Sequence, residues 1–311
     1  RNVSYVPLHR MAINASPLEP VPPRDLEALI AHCLLLDLEV SHQGRILKIG
    51  AVLGQETVVC TGARQTPGVW DRLAVLAQSA RCVLGHNLVR HDLRVLQTTC
   101  PEHPLLRLPV IDTLLLSPIA FPENPYHRLV KDYKLVRETV NDPVADARQA
   151  ATLFGDEFQA LDGLRQTEPP LFQLLHFLLA ATDQRPEPAA VGMDIVFAAL
   201  GGEMPSRDGA LVLCRAWLAR WACKSVSVED RLLMTFAQRQ AMAYMVAWLR
   251  VAGSNSVLPP WVRIEHPQTA GLIERWREVP CAAADCAYCR RIHNAQEQLR
   301  AFFGFDTFRS Q

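Results

Sequence analysis

From residue 33 the chain alternates short apolar runs with amphipathic stretches. Cys33–Val40 (CLLLDLEV) has strand length and is apolar except for two acids spaced two apart. Arg45–Leu53 and Glu56–Cys60 are two further β-like runs, parted by Gly54 and Gln55 in a hairpin pattern. Alternation follows: a helix near Val69–Gln78, a strand at Arg81–Gly85, a helix at Asp92–Thr98, a strand at Leu108–Asp112 and a long helix from about Pro143 to Leu161. Three antiparallel strands followed by alternating helices and strands predict an α/β fold, a mixed sheet flanked by helices.

After residue 165 helical periodicity takes over, in Pro170–Ala181, Ala210–Lys224, Val228–Arg250 and Ala270–Arg277. The expected organisation is an extended Pro-rich lead-in (1–27), an α/β domain (28–165), an α-helical domain (166–278), a small cysteine-bearing segment (279–298) and a further region beginning at 299–311. Trp217 with Trp221, and Met242 with Met245 and Trp248, recur at helical spacing and are read as core packing rather than a ligand box.

Composition narrows the function classes. With 311 residues and 49% hydrophobic positions, two cores are expected. The longest apolar stretches are too short to span a bilayer, and no basic start leads into an apolar core, so no membrane partner and a cytoplasmic location are expected. Nine cysteines, three of them packed into Cys281–Cys289, suit a reducing compartment better than a disulfide framework. The net charge is zero, so any affinity for nucleic acid must come from local sites.

Those sites begin with the two acids. Asp37 and Glu39 lie two apart on a strand and so point to one face. Paired carboxylates in an apolar strand require a cation, either a divalent metal or Lys and Arg neighbours on an exposed edge. Gly85–Leu96 (GHNLVRHDLRVL) ends a strand in Gly-His-Asn and opens a helix at Asp92. Asn141–Phe154 (NDPVADARQAATLF) is a Pro-initiated helix whose first turns carry Asp146. Each lone Asp reads as capping, but the three pieces occur in the order a two-metal site requires.

The DxE strand, the HNxxxxDL helix start and the DARxAxxLF helix resemble the three motifs of DnaQ-like DEDD 3′→5′ exonucleases. Val110–Leu114 (VIDTL) looks like that superfamily's strand before the last helices, and the element order is RNase H-like. The resemblance covers about residues 28–162. It implies that Asp37, Glu39 and Asp146 hold two Mg²⁺ or Mn²⁺ ions, that Asp92 completes the outer shell, and that His86 and Asn87 shape the substrate groove. Nucleoside monophosphates would be released from a 3′ end.

The chain departs from the resemblance at the proton acceptor. The superfamily carries a His five residues before the last Asp or a Tyr four before it, and here Asn141 and Asp142 stand there. Asn takes no proton near neutral pH. Asp142, the metals alone, His127 or His91 are the alternatives. Arg128, Lys131, Lys134 and Arg137 recur every three residues, as a phosphate-touching or a solvated helix face.

Cys281-x4-Cys286-x2-Cys289-x3-His293 offers three thiols and an imidazole, the donor set of a structural Zn²⁺, with Cys223 or His266 as substitutes for His293. Leu299–Gln311 (LRAFFGFDTFRSQ) resembles the aromatic approach to the helicase core of RecQ-family DNA helicases. This favours DNA as the partner and implies a helicase domain in the same, longer chain. The expected function is a metal-dependent 3′→5′ DNA exonuclease. The rivals are a module that keeps the fold and binds nucleic acid or proteins with little or no catalysis, and an exoribonuclease.

Overall fold

The structure, a computed structural model, describes residues 26–62, 67–124, 142–180, 186–223, 235–251, 258–273, 279–281 and 283–304. These fall into two compact units. One holds 26–121, 142–167 and 179–203, and the other holds 122–124, 168–178 and 204–304.

The first unit opens with α1 (Leu26–Ala31), β1 (Cys33–Val40), β2 (Ile46–Leu53) and β3 (Glu56–Thr61). Next come α2 (Pro67–Ser79), β4 (Cys82–Gly85) and a π-helical turn, Leu88–Asp92, that runs into α3 (Leu93–Thr99). A 3-10 turn (Pro104–Arg107), β5 (Val110–Asp112), α4 (Thr113–Ala120) and α5 (Pro143–Thr167) follow. Among the described residues the strands form one mixed sheet in the order β3-β2-β1-β4-β5. The first three are antiparallel, β4 runs parallel to β1, and β5 runs parallel to β4. Gly54, at φ 57, supplies the left-handed residue of the β2–β3 hairpin.

Strand alternation divides β1 between two layers. Leu34, Leu36 and Leu38 are buried in a core with Ile49, Val58, Leu73, Val83 and Leu96, under α2 and α3. The other face of β1 lies under α5, which contacts β1, β2 and β4. Ala147, Ala150 and Ala151 on α5 are buried and small, which lets the helix approach the sheet closely. The sheet-bearing unit extends past its expected end near 165, because α7 (Pro188–Ala199) packs on β5. Gly192 makes that contact, and a Cβ there would run into the backbone of Val110.

The second unit is helical: α6 (Pro169–Leu179, less its last residue), α8 (Arg207–Trp221), α9 (Phe236–Val251), α10 (Pro260–Glu265), α11 (Gln268–Ile273), α12 (Ala287–Ile292) and α13 (Ala295–Phe303). Ser206 caps α8 by accepting the Gly209 amide at 3.1 Å. Helix α9 is buried almost all round, which suits its packing on both α8 and α11. Met242, Met245 and Trp217 lie in this core, and Trp217 donates its indole N–H to the Val246 carbonyl at 3.2 Å. No helix among the described residues is long and apolar enough to cross a membrane.

Candidate functional site

Asp37 and Glu39 emerge half-buried on the α5 face of β1. In the antiparallel ladder Asp37 stands opposite Gly50 and Glu39 opposite Lys48. Directly opposed residues share a face, so Gly50 leaves the space beside Asp37 open. The first turn of α5 fills that space. A Cβ on Gly50 would collide with the Pro143 carbonyl carbon and lie 2.5 Å from the Val144 nitrogen. This seating delivers Asp146, one turn into α5. Carboxylate oxygens of Asp37, Glu39 and Asp146 all lie within 4.8 Å of one another, close enough to hold a metal ion.

Hard oxygen donors without thiol or imidazole in the group suit Mg²⁺ or Mn²⁺. Lys48 adds a positive charge to the same face from across the ladder. The first turn of α5 is fixed by Asp142, whose Oδ1 accepts the Val144 amide at 3.0 Å and whose carbonyl accepts the Asp146 amide at 3.0 Å. Asp142 is thus the helix cap. Asn141, His127, Arg128, Lys131, Lys134 and Arg137 lie outside the described residues.

Asp92 takes a different position from its three partners. The α-helix opens at Asp92 as expected, with Asp92 at the N-cap position of α3, but the π-helical turn Leu88–Asp92 runs into it and Asp92 points inward rather than capping. Asp92 is buried and accepts the Leu38 amide at 2.7 Å. β4 pairs with β1 only as far as Leu35, so Asp92 satisfies an amide that the sheet edge leaves open. Burial raises its carboxyl above the ordinary range, against the lowering pull of His91, whose Nδ1 is 3.4 Å away. His91 is raised in turn, first by Asp92 and then by the charges of Asp37 and Glu39, while burial opposes the shift.

His86 and Asn87 form the corner after β4. His86 Nδ1 lies 2.8 Å from the Thr113 hydroxyl, and burial lowers the ring to about 4, so it is neutral near pH 7. Asn87 holds φ at 62, and its amide donates to Asp112. Asp112 has no exposed surface and is pushed up to about 6 by burial, with backbone donors pulling down and Asp92 adding repulsion. Sequence reasoning gives Asp112 no role, since an Asp before a helix reads as a plain cap.

Elsewhere, four thiols converge. Sγ atoms of Cys223, Cys281, Cys286 and Cys289 lie within 4.8 Å of one another, close enough to hold a metal. The Cys223–Cys289 and Cys281–Cys289 separations are 3.4 and 3.6 Å. Zn–S bonds of about 2.3 Å in a tetrahedron put neighbouring sulfurs about 3.8 Å apart, so the set fits one ion. This corrects the expected ligand set. His293 is outside the group; it ends α12, where its amide bonds the Cys289 carbonyl and its ring packs edge-on to Tyr288 at 6.0 Å. Cys223, just past α8, stands in its place.

Comparison with protein families, with curated proteins and with solved structures finds no match to this chain.

Proposed function

We propose that the sheet-bearing unit is a metal-dependent 3′→5′ exonuclease of the DEDD type on an RNase H-like fold, acting on DNA. The observation that carries this reading is the convergence of Asp37 and Glu39 with Asp146, brought from distant parts of the chain to one half-buried group. Strand order and the crossing helix α5 agree with it. Asp37, Glu39 and Asp146 would hold two Mg²⁺ or Mn²⁺ ions, which supply Lewis-acid activation of water and charge neutralisation at phosphorus. Asp92 fixes the β1 backbone between two of these ligands. His86 and Asn87, at the neighbouring corner, border the groove in which a 3′ terminus would lie. The released product is a nucleoside monophosphate.

The four-cysteine group takes Zn²⁺ in a closed, structural role, because four thiolates leave no open position. The RecQ-like stretch 299–311 supports DNA as substrate and a helicase region in the same polypeptide. A second reading, a nucleic-acid-binding module with slow or no hydrolysis, is favoured by Asn141 and Asp142 standing where a His or Tyr base would be. The engagement of Asp142 as a helix cap adds to it.

The test is a time course on 3′- and 5′-labelled DNA, single-stranded and duplex, in Mg²⁺ or Mn²⁺. Shortening from the 3′ end, lost in Asp37→Ala, is expected; equal activity of the two proteins sinks the assignment. Mn²⁺ binding abolished by Asp37→Ala, without cleavage by either protein, selects the second reading. A parallel ribo-oligomer assay distinguishes an exoribonuclease.

A further inference from the structure

Both carboxylate oxygens of Asp112 are in use. Oδ1 accepts the amides of Asn87 at 2.8 Å and Leu114 at 3.0 Å, and Oδ2 accepts that of Val89 at 2.9 Å. The Leu114 bond is N-capping of α4. A Ser or Thr would cap that helix without burying a charge. The other two bonds reach across to the strand β4 corner, where Asn87 is held in the left-handed region. That conformation is strained for an L residue, and the charge-assisted bonds that Asp112 accepts offset the strain. From this corner the π-helical turn leads directly to Asp92, and Asp92 grips the Leu38 amide between Asp37 and Glu39.

We propose that Asp112 is a positioning residue of the three-carboxylate site: it fixes the corner, the corner fixes Asp92, and Asp92 fixes the strand that aims Asp37 and Glu39. The inference rests on reading those acids as a metal site and does not depend on hydrolysis. Supporting residues of this kind change metal affinity or activity by about 10- to 100-fold when altered.

Mn²⁺ binding to the full chain, followed by electron paramagnetic resonance, tests the inference on wild type and Asp112→Asn. Asn retains the shape but presents one acceptor and one donor where the amides need two acceptors. The expected result is Mn²⁺ affinity weakened about tenfold at unchanged helix content, with kcat lowered more than KM is raised where cleavage is measurable. Wild-type affinity in folded Asp112→Asn overturns the inference alone; a wild type that binds no Mn²⁺ overturns the metal reading and the inference with it. Should Asp112→Asn fail to fold, amide exchange in the wild type decides. Mn²⁺ that slows exchange at Leu38, Asn87 and Val89 together supports the linkage, and protection of Leu38 without the other two overturns it.

Discussion

Single residues in this protein carry ionisable groups into places that disfavour their charge. Glu157 on α5 has no exposed surface, and among the described residues neither of its oxygens has a hydrogen-bond partner. Burial raises its carboxyl well above the ordinary range, and the charges of Asp112 and Asp156 raise it further. A folded-state value above the unfolded one means that folding takes up a proton. The associated stability is fully present below the unfolded value and is lost as pH rises towards the folded one. Asp112, shifted from 3.8 to about 6, adds a slope of the same sign between those values. Glu157→Gln should therefore be more stable than wild type at pH 8, by about 1 kcal/mol or more, and should lose that advantage at pH 4, as urea melts at the two pH values will read. None of this is legible in DEFQALD, where a Glu on a long helix looks solvated. The pairing of Asp37 with Glu39, by contrast, is legible, because a two-residue period fixes a shared face without tertiary information.

Elements meet where side chains are missing. Gly50 is to the carboxylate site what an empty socket is to a plug, since the first turn of α5 rests on it and Asp146 follows within that turn. Gly50→Ala should push α5 away, destabilise the protein by about 1–3 kcal/mol and weaken Mn²⁺ binding about tenfold; thermal melts and metal titration measure the two effects. Isothermal titration showing wild-type Mn²⁺ affinity in this variant would contradict the seating. The strands and the principal helices can be read from hydrophobic periodicity. The π-helical turn that ends at Asp92 cannot, because a run that continues into a helix shows no periodicity break; the sequence finds the start of α3 at Asp92 but not the turn that seats it beneath the strand edge. Helix α7 escapes for a related reason: its apolar composition is uniform, and its partner β5 lies far back in the chain.

For the molecule as a whole, distance along the chain separates what the sequence can reveal from what only folding assembles. Three cysteines within a few residues announce a metal, whereas the sequence offers Cys223 only beside His266 as a substitute for His293, and the end of α8 near the other thiols decides for it. Cys223→Ser should abolish stoichiometric zinc and His293→Ala should retain it, as elemental analysis of the purified variants will show; the reverse pattern would restore His293 as the ligand. The chain between Cys223 and Cys281 carries α9, α10 and α11, so its length is set by their packing. β1 is held by its register. Its pairing with β2 slips only between Glu39 and Val40, immediately after the second acid. A residue inserted in the turn beyond that slip can be absorbed there, while one inserted between Cys33 and Leu36 would rotate both acids into the leucine layer and two leucines into the groove. Insertions and deletions among descendants of this chain should therefore crowd into the β1–β2 turn and leave the first strand at constant length.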